Sequence, residues 1–320
     1  MSNLKWKYSE SINDELPFIL PLSLLKKIYS DSFVLLECVE QNTTIAYFYF
    51  FKRKIYFNLT KIQSPLFLPY NELIVTKKNT PINIAKKYSF IKDIINSLCD
   101  FLDQEFSKSI ITITLPPQIQ DAQPFFWHNY KVIPFYTYQI DLSQDIDEII
   151  SCFSPEKRNS IKKAEKDGLK IIDDNNIDDL YHFIENTFER KNKYLNNNVL
   201  KKFLQHTHQN NFIKVFSCVN KDNIKIASAG FLLSNQKVYY LFSGYDPKHK
   251  HSGSIALLLF TAIRTFKESQ YKIFDFEGSM LPDVEKNFRE FGGNLIPYFS
   301  INKAPILLEI ALKFYQRNKF

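Results

Sequence analysis

Two carboxylates and two small residues follow one another closely at residues 275–279. Asp275 and Glu277 stand two positions apart in a run that alternates apolar and acidic residues, so a strand places both side chains on one side. The run ends at Gly278 and Ser279, near the end of a strand, where ligand sites tend to form. Either carboxylate could take a proton from a nucleophile near neutral pH if burial raised its pKa or a water relayed the proton. Asp275 has a structural alternative, as a helix cap or the partner of a lysine.

A short basic loop precedes this strand. It follows one strand and opens an apolar helix. A strand, a basic turn that contains glycine and a helix N-terminus together suit a phosphate group, because backbone N–H groups and the helix dipole point at the anion. The alternative is an ordinary surface turn before a buried helix. The loop residues that a phosphate site would use are Lys250, His251, Ser252, Gly253 and Ser254.

Basic side chains also recur along the helix that is predicted to begin after Ser154. Arg158, Lys162 and Lys166 are spaced four residues apart and therefore share one helix face, with Lys163 next to them. This stripe could face a phosphate-bearing substrate, and Arg158, Lys162 and Lys163 are the candidate substrate-binding residues. The alternative is a solvated helix face, which is the ordinary meaning of such a run.

Metal and disulfide chemistry are not expected. His249 and His251 form a close pair, as do His206 and His208, but neither pair has a third ligand at suitable spacing. The four cysteines include no Cys-x-x-Cys pair and are typical of reduced thiols in a cytoplasmic protein. The first residues are not of the signal-peptide type, and the apolar runs are too short to span a bilayer, so no integral membrane contact is expected.

The composition indicates a folded protein with room for two domains. The chain has 320 residues, of which 45% are hydrophobic and 23% charged. Its net charge of +7 is spread evenly over both halves, so neither half is a dedicated nucleic-acid-binding domain. A mildly positive field still suits a phosphate-bearing substrate.

The order of predicted strands and helices indicates an α/β (α+β) protein. Both halves show strands, a long helix, a strand, a short helix and a strand, which fits two copies of one fold. The predicted domains are 1–140, a degenerate copy, and 141–320. The strands predicted in the first half are 33–39, 44–51, 54–59, 110–115 and 135–142, with a helix over 82–106.

Four motifs in the second half resemble those of the FemABX-like acyltransferases of the GNAT superfamily. The helix Ser154–Ala164 resembles that family's Arg-Arg-x-Ile-Arg-Lys-Ala helix, and Tyr138–Leu142 resembles the strand that enters its second domain. Asp275–Ser279 resembles the fifth-strand motif, and Phe288–Gly293 resembles the Phe-Lys-x-x-Phe-Gly motif. The resemblance covers roughly residues 135–303. It implies tandem GNAT-like domains, built on mixed central sheets flanked by helices, with a catalytic second domain.

The resemblance implies amide formation by direct attack of an amine on an activated acyl group. Glu277 and Asp275 are then the candidate catalytic carboxylates, and Tyr245 is the candidate general acid for the leaving group. The loop at 250–254 would bind acyl-CoA as co-substrate. Ser279, Phe288 and Arg289 join the candidate substrate-binding residues.

The resemblance leaves the donor and acceptor open. Acyl-CoA is the expected donor because Lys250 and Gly253 match the pyrophosphate loop, and aminoacyl-tRNA is the alternative, as in enzymes that build peptidoglycan cross-bridges. The expected acceptor is a phosphate-bearing amine, either a cell-envelope precursor, which can be lipid-linked, or an amino sugar. Ile255 replaces the last small residue of the loop pattern, which keeps a non-catalytic binding protein as a further alternative.

Overall fold

The computed structural model describes residues 4–55, 59–76, 80–174, 176–278, 280–315 and 318–319. The chain forms two compact units. The first consists of residues 1–135 together with 297–320, and the second of residues 136–296. The predicted border at residue 140 lies close to the first junction, whereas residues 297–320, which were predicted in the second domain, pack with the first unit.

The helices and strands alternate along the whole chain. The elements up to the first junction are β1 (Lys5–Tyr8), α1 (Leu22–Tyr29), β2 (Phe33–Glu40), β3 (Thr43–Lys54), β4 (Thr60–Gln63), β5 (Leu73–Val75), α2 (Ile84–Glu105), β6 (Ile110–Leu115), α3 (Gln123–Trp127) and β7 (Lys131–Asp141). Those that follow are α4 (Ile146–Ser151), α5 (Pro155–Lys166), β8 (Lys170–Asp173), α6 (Ile177–Arg190), α7 (Asn197–Gln209), β9 (Ile213–Val219), β10 (Lys225–Ser234), β11 (Lys237–Tyr245), α8 (Ser254–Glu268), β12 (Ile273–Asp275), α9 (Pro282–Arg289), β13 (Asn294–Lys303) and α10 (Ile306–Tyr315).

The sheet of the first unit has the strand order β1-β2-β3-β4-β6-β13, with β5 paired to β3. The pair β4/β6 is parallel, and the pairs on either side of it are antiparallel. The helix α2 covers this sheet because its apolar residues recur every three or four positions, on one helix face. The α2 residues in the core are Ile94, Ile95, Leu98, Cys99 and Leu102.

The sheet of the second unit has the order β8-β9-β10-β11-β12-β7, and here β11/β12 is the parallel pair. A right-handed crossover needs a covering element between two parallel strands, and α8 fills that place between β11 and β12. The helix is apolar on most of its surface, and its residues pack in the core. The core residues of α8 include Ala256, Leu257, Leu258, Leu259, Ala262, Ile263 and Phe266.

The predicted fold class is confirmed, and most predicted elements lie within a few residues of the observed ones. The strand predicted over 54–59 is an exception. Its residues 56–58 lie outside the described part of the chain, and the observed strand β4 begins at Thr60. The short helices α1 and α4 were not predicted. Among the described helices, none is both long and apolar enough to cross a lipid bilayer.

Candidate active site

The strands β11 and β12 pair over three positions and then diverge. Their parallel register runs from Lys237 opposite Ile273 to Tyr239 opposite Asp275. Beyond this point β11 continues to Tyr245, whereas the chain after Asp275 stays with β7, since the N–H of Phe276 donates to the carbonyl of Tyr138 at 3.0 Å. The divergence opens the carboxyl end of the sheet beside the turn that follows β12. Ligands of α/β proteins bind at the carboxyl ends of parallel strands.

Asp275 anchors this turn from inside the protein. Its side chain is fully buried and accepts hydrogen bonds from the Thr137 hydroxyl (2.6 Å), the Gln139 amide (2.7 Å) and the backbone N–H of Glu277 (2.8 Å). Burial raises the pKa of Asp275, while these hydrogen bonds lower it. Three donors that converge on one carboxylate fix the backbone of the next two residues. Asp275 therefore positions the turn through these three bonds and not as the helix cap that the sequence suggested.

Glu277 is the residue of the turn whose surroundings best suit proton transfer. Its backbone is left-handed, with a φ of 62°, and its carboxylate has no hydrogen bond or ion pair with any residue that the structure describes. Burial, together with the negative charge of Asp275, raises the pKa of Glu277 to about 8. A partly buried, unpaired carboxyl group with a raised pKa is typical of a general acid or base.

Gly278 allows the chain to leave the strand at this point. Its φ is 85°, and a Cβ atom there would lie 2.4 Å from the carbonyl oxygen of Tyr136. Two left-handed residues in succession, Glu277 and Gly278, turn the backbone away from β11. Ser279, which was predicted to bind substrate, lies outside the described residues.

The loop between β11 and α8 satisfies several of its own backbone groups. The N–H of Gly253 donates to Nδ1 of His251 at 3.0 Å, so Nε2 of His251 carries the proton and donates to Asp167, also at 3.0 Å. The N–H and the hydroxyl of Ser254 both donate to the His251 carbonyl. Two of the amides expected to bind phosphate are thus already bonded, whereas Lys250 and Ser252 remain exposed.

Gly253 is needed because α5 and α8 pack closely. A Cβ atom at this position would lie 2.5 Å from the carbonyl oxygen of Ser160 and 2.9 Å from the Ala164 side chain. The basic helix α5 therefore lies directly against the first turn of α8. The exposed Lys162 and Lys163 are on this helix, which packs beside the loop.

Two cations lie over the ring of Tyr245, the last residue of β11. The guanidinium carbon of Arg190 lies 4.1 Å from its ring centroid, and Nζ of Lys250 lies 5.6 Å from it. Cations over an aromatic face are attracted by the ring quadrupole. Arg190 was not singled out from the sequence, since nothing in its local pattern distinguishes it from other basic residues on helices.

Arg158 serves the fold instead of facing a substrate. Its guanidinium donates to the carbonyl of Ser151, the last residue of the short helix α4, and to that of Phe153 just after it. The neighbouring Lys157 is 5% exposed and lies over the Phe291 ring at 4.6 Å, with Glu290 as its ion-pair partner at 3.3 Å. Its spacing to Ile161 and Ala164 places it on the apolar helix face, a signal that the sequence analysis overlooked.

The predicted substrate-binding pair Phe288 and Arg289 separates in the structure. Phe288 lies in the core, stacked on Phe276 with ring centroids 5.0 Å apart, because it occupies the inward side of α9. Arg289 points outward and pairs with Glu285 at 3.0 Å, and Glu285 also accepts a hydrogen bond from the Tyr138 hydroxyl. Arg289 is thus accessible, whereas Phe288 is a core residue.

The structure brings the sequence-predicted residues together in two local groups. One is the turn of Asp275 and Glu277 with its supports on β7, Thr137 and Gln139, which the sequence analysis missed. Their alternation along β7 opposite Asp275 was the available signal. The other is the loop of residues 250–254 with Tyr245. In the described part of the chain, no cluster of three or more histidine, cysteine, aspartate or glutamate side chains could hold a metal ion.

A family model of a known domain matches part of the second unit. The family of the acetyltransferase (GNAT) domain matches residues 155–284, a range that contains the loop, α8 and Glu277. No curated protein sequence is detectably similar to the chain.

Solved structures resemble the chain over nearly its whole length. FemX superposes with a TM-score of 0.62 at 13% identity and covers 91% of this chain and 93% of its own. The C-terminal domain of a putative lysylphosphatidylglycerol synthetase from Agrobacterium fabrum gives 0.55 at 10% identity, covering 83% and 84%. A tandem GNAT protein from the clavulanic acid biosynthesis pathway gives 0.54 at 8% identity, covering 94% and 98%. Residues 155–284 therefore match a GNAT acetyltransferase domain, and the chain as a whole has the fold of FemX and of the tandem GNAT protein.

Proposed function

We propose that the protein is a cytoplasmic N-acyltransferase that moves an acyl group from acyl-CoA to an amine on a cell-envelope precursor or amino sugar. The observation that carries the proposal is Glu277, whose carboxyl group lies beside the divergence of β11 and β12, has no partner among the described residues and has its pKa raised to about 8. Amide formation from an amine requires removal of a proton from the attacking nitrogen, and this carboxylate is suited to accept it.

The reaction needs no covalent enzyme intermediate. The neutral amine attacks the carbonyl carbon of the thioester, a C–N bond forms, the C–S bond breaks and the electron pair leaves with the sulfur. The proton lost from nitrogen passes to Glu277, directly or through water. Tyr245 remains the candidate that protonates the leaving thiolate, and the cations of Arg190 and Lys250 on its ring would favour a developing negative charge nearby.

Acyl-CoA is the preferred donor because the start of α8 and Lys250 offer a positive site for a diphosphate. The helix dipole and the first-turn amides beyond Ser254 are directed toward the loop. The exposed Lys162 and Lys163 on the adjoining helix α5 add positive charge for a phosphate-bearing acceptor.

Aminoacyl-tRNA is the second candidate donor, and the loop itself favours it. His251 already occupies the amide of Gly253, and its carbonyl holds Ser254, so a diphosphate would have fewer free amides to bind. With this donor the bond that breaks is the C–O bond of the ester, and Glu277 keeps the same role. Such an activity would place the protein with enzymes that extend peptidoglycan precursors.

A donor panel tests the proposal. Purified protein is incubated with acetyl-CoA, a longer acyl-CoA or a mixture of aminoacyl-tRNAs, each with glucosamine or a nucleotide-linked cell-wall precursor, and products are detected by mass spectrometry. We expect an amide product with an acyl-CoA. An amide product that forms only with aminoacyl-tRNA would replace the first candidate with the second. No amide product with any pairing would contradict both.

The pH dependence tests the role of Glu277 separately. Only the deprotonated carboxylate accepts a proton, so kcat/KM is expected to rise about tenfold per pH unit below pH 8 and to level off above it. A profile that is flat between pH 6 and pH 9 would show that another group, or none, is the base.

A further inference from the structure

The last helix of the first unit exposes an apolar face. Ile306, Leu307, Ile310 and Phe314 of α10 are between 50% and 85% exposed, and we call them the docking face. Large apolar side chains at positions 306, 310 and 314 form a continuous stripe along one side of the helix. Soluble helices normally turn such a stripe toward a core, so its exposure needs a partner.

The opposite side of α10 is already used for packing. Leu308 and Leu312 lie against Ile110 and Ala304, and Ile55 completes the same small cluster. The helix is therefore fixed on the first unit by one apolar side while the docking face points outward. Rotation about the helix axis cannot bury both sides at once.

Three cations lie next to the same helix, and we call Arg53, Lys61 and Lys319 the basic cluster. Arg53 stands opposite Lys61 in the β3/β4 ladder, and Lys61 stands opposite Ile110 in the β4/β6 ladder. Since Ile110 packs under α10, Lys61 lies beside the helix as well. Lys319 follows α10 in the chain.

The positive charges of Arg53 and Lys319 repel that of Lys61 within the basic cluster. Burial, together with the positive charges of Arg53 and Lys319, lowers the pKa of Lys61 to about 8. Among the residues that the structure describes, none of the three has an ion-pair partner. An accumulation of uncompensated positive charge beside an exposed apolar stripe favours a partner that is both negative and apolar.

We propose that the docking face and the basic cluster together bind the surface of an anionic lipid bilayer. The apolar side chains would enter the boundary between headgroups and acyl chains, and the cations would lie against the phosphates. Ten helical residues span about 15 Å, roughly half the hydrocarbon core, so the helix lies on the membrane and does not cross it. This inference is independent of the identity of the acyl donor and acceptor.

Vesicle co-sedimentation tests the surface with the full chain. The probes are vesicles of pure phosphatidylcholine and vesicles of equal parts phosphatidylcholine and phosphatidylglycerol. We expect binding to the anionic vesicles that weakens as salt is added, because the electrostatic part is screened. The double variant Leu307→Glu, Phe314→Glu should abolish it, and Arg53→Gln with Lys319→Gln should weaken it roughly 25-fold, about fivefold per charge removed.

The control is Ile82→Glu, which changes an isoleucine that is fully exposed elsewhere on the first unit and should leave binding unchanged. Circular dichroism of each variant confirms that it is folded. Absence of binding by the parent protein, or equal binding by the docking-face variant, overturns the proposal. A parent protein that ignores vesicles but forms a dimer, which Leu307→Glu with Phe314→Glu dissociates, would identify a second copy as the occupant and overturn it too.

Discussion

The two units share one strand order but differ in where they use glycine. All seven glycines of the chain lie in the second unit, between Gly168 and Gly293, and the first unit has none. The left-handed positions of the first unit are filled by other residues, such as Asn42 and Asn129. Glycine is thus not required by the shared topology itself.

The strands that correspond in the two sheets end in different ways. In the first unit β6 runs into Pro116 and Pro117, two residues that lack an N–H donor and a titratable group. In the second unit β12 ends after three residues in Asp275, followed by the left-handed Glu277 and Gly278. One end closes the strand with prolines, whereas the other leads into the candidate catalytic carboxyl group of Glu277.

Close backbone approach at a glycine occurs only in the second unit. Gly253 and Gly278 both stand where a Cβ atom would meet a carbonyl oxygen at 2.5 Å or less, and both border the candidate site. This supports the proposal that the second unit catalyses and that the first is a degenerate copy.

The largest expected effect is on kcat, and it distinguishes the end of β12 in the second unit from the end of β6 in the first. Glu277→Gln removes the base and should lower kcat by about 10²- to 10⁴-fold, without loss of the fold. Gln118→Ala, at the exposed chain just beyond β6, should leave kcat unchanged. Steady-state kinetics give kcat for both variants. A comparable loss of kcat in Gln118→Ala would mean that the first unit also takes part in catalysis.

The next effect concerns stability at left-handed positions. Gly278→Ala should lower the free energy of unfolding by about 2–4 kcal/mol, because strain at φ 85° adds to the clash with Tyr136. Asn129→Ala, at a φ of 62° in the first unit, should cost only about 1 kcal/mol. Urea denaturation measures both free energies of unfolding. Equal losses in the two variants would show that the left-handed position of the second unit does not depend on glycine more than that of the first unit depends on asparagine.

A smaller effect is expected at the buried lysine of α5. Lys157→Met keeps the contact with the Phe291 ring but leaves Glu290 without its cation, so a loss of about 1–2 kcal/mol is expected. Lys163→Met, on the exposed side of the same helix, is the matched control and should change stability by less than about 0.5 kcal/mol. Thermal unfolding of the pair tests this, and a larger loss in the control would contradict the assigned contacts.

The smallest effect is a shift in the pH profile. Asp275→Asn removes a negative charge that helps to raise the pKa of Glu277, so the rise of kcat/KM should move to lower pH. Burial is the larger cause and persists, which limits the shift to about one unit or less. The same carboxyl group destabilises the fold as pH rises from its unfolded pKa of 4.5 to about 8, so the stabilising effect of Glu277→Gln should grow over that interval.

Patterns within one element were readable from the sequence, whereas contacts between elements were not. The N-cap of α5 at Ser154 was predicted from local residues alone, and the side chain does accept a hydrogen bond from Lys157 N–H. Asp275 and Glu277 were recognised by their alternation, but their different roles depend on Thr137 and Gln139, which lie more than 130 residues away in the chain.

The role of Arg158 shows the same limit. Its spacing to Lys162 predicted a basic stripe, yet its guanidinium binds two carbonyls that become available only because α4 ends beside it. Phe288 lay in a motif that suggested substrate contact, and the hydrophobic side of α9 turned it into the core. Charge and motif identify candidates, but packing determines which of them remain accessible.

The first unit takes its last strand, β13, from a late part of the chain, and this bears on the order of folding. The first unit needs β13, whose residues 299–303 pair with β6, yet the whole second unit is encoded between them. During synthesis the second unit can therefore close its sheet before the first has received its last strand. The unit that begins earliest on the ribosome is completed latest, and until residue 303 emerges its strand β6 keeps an open edge.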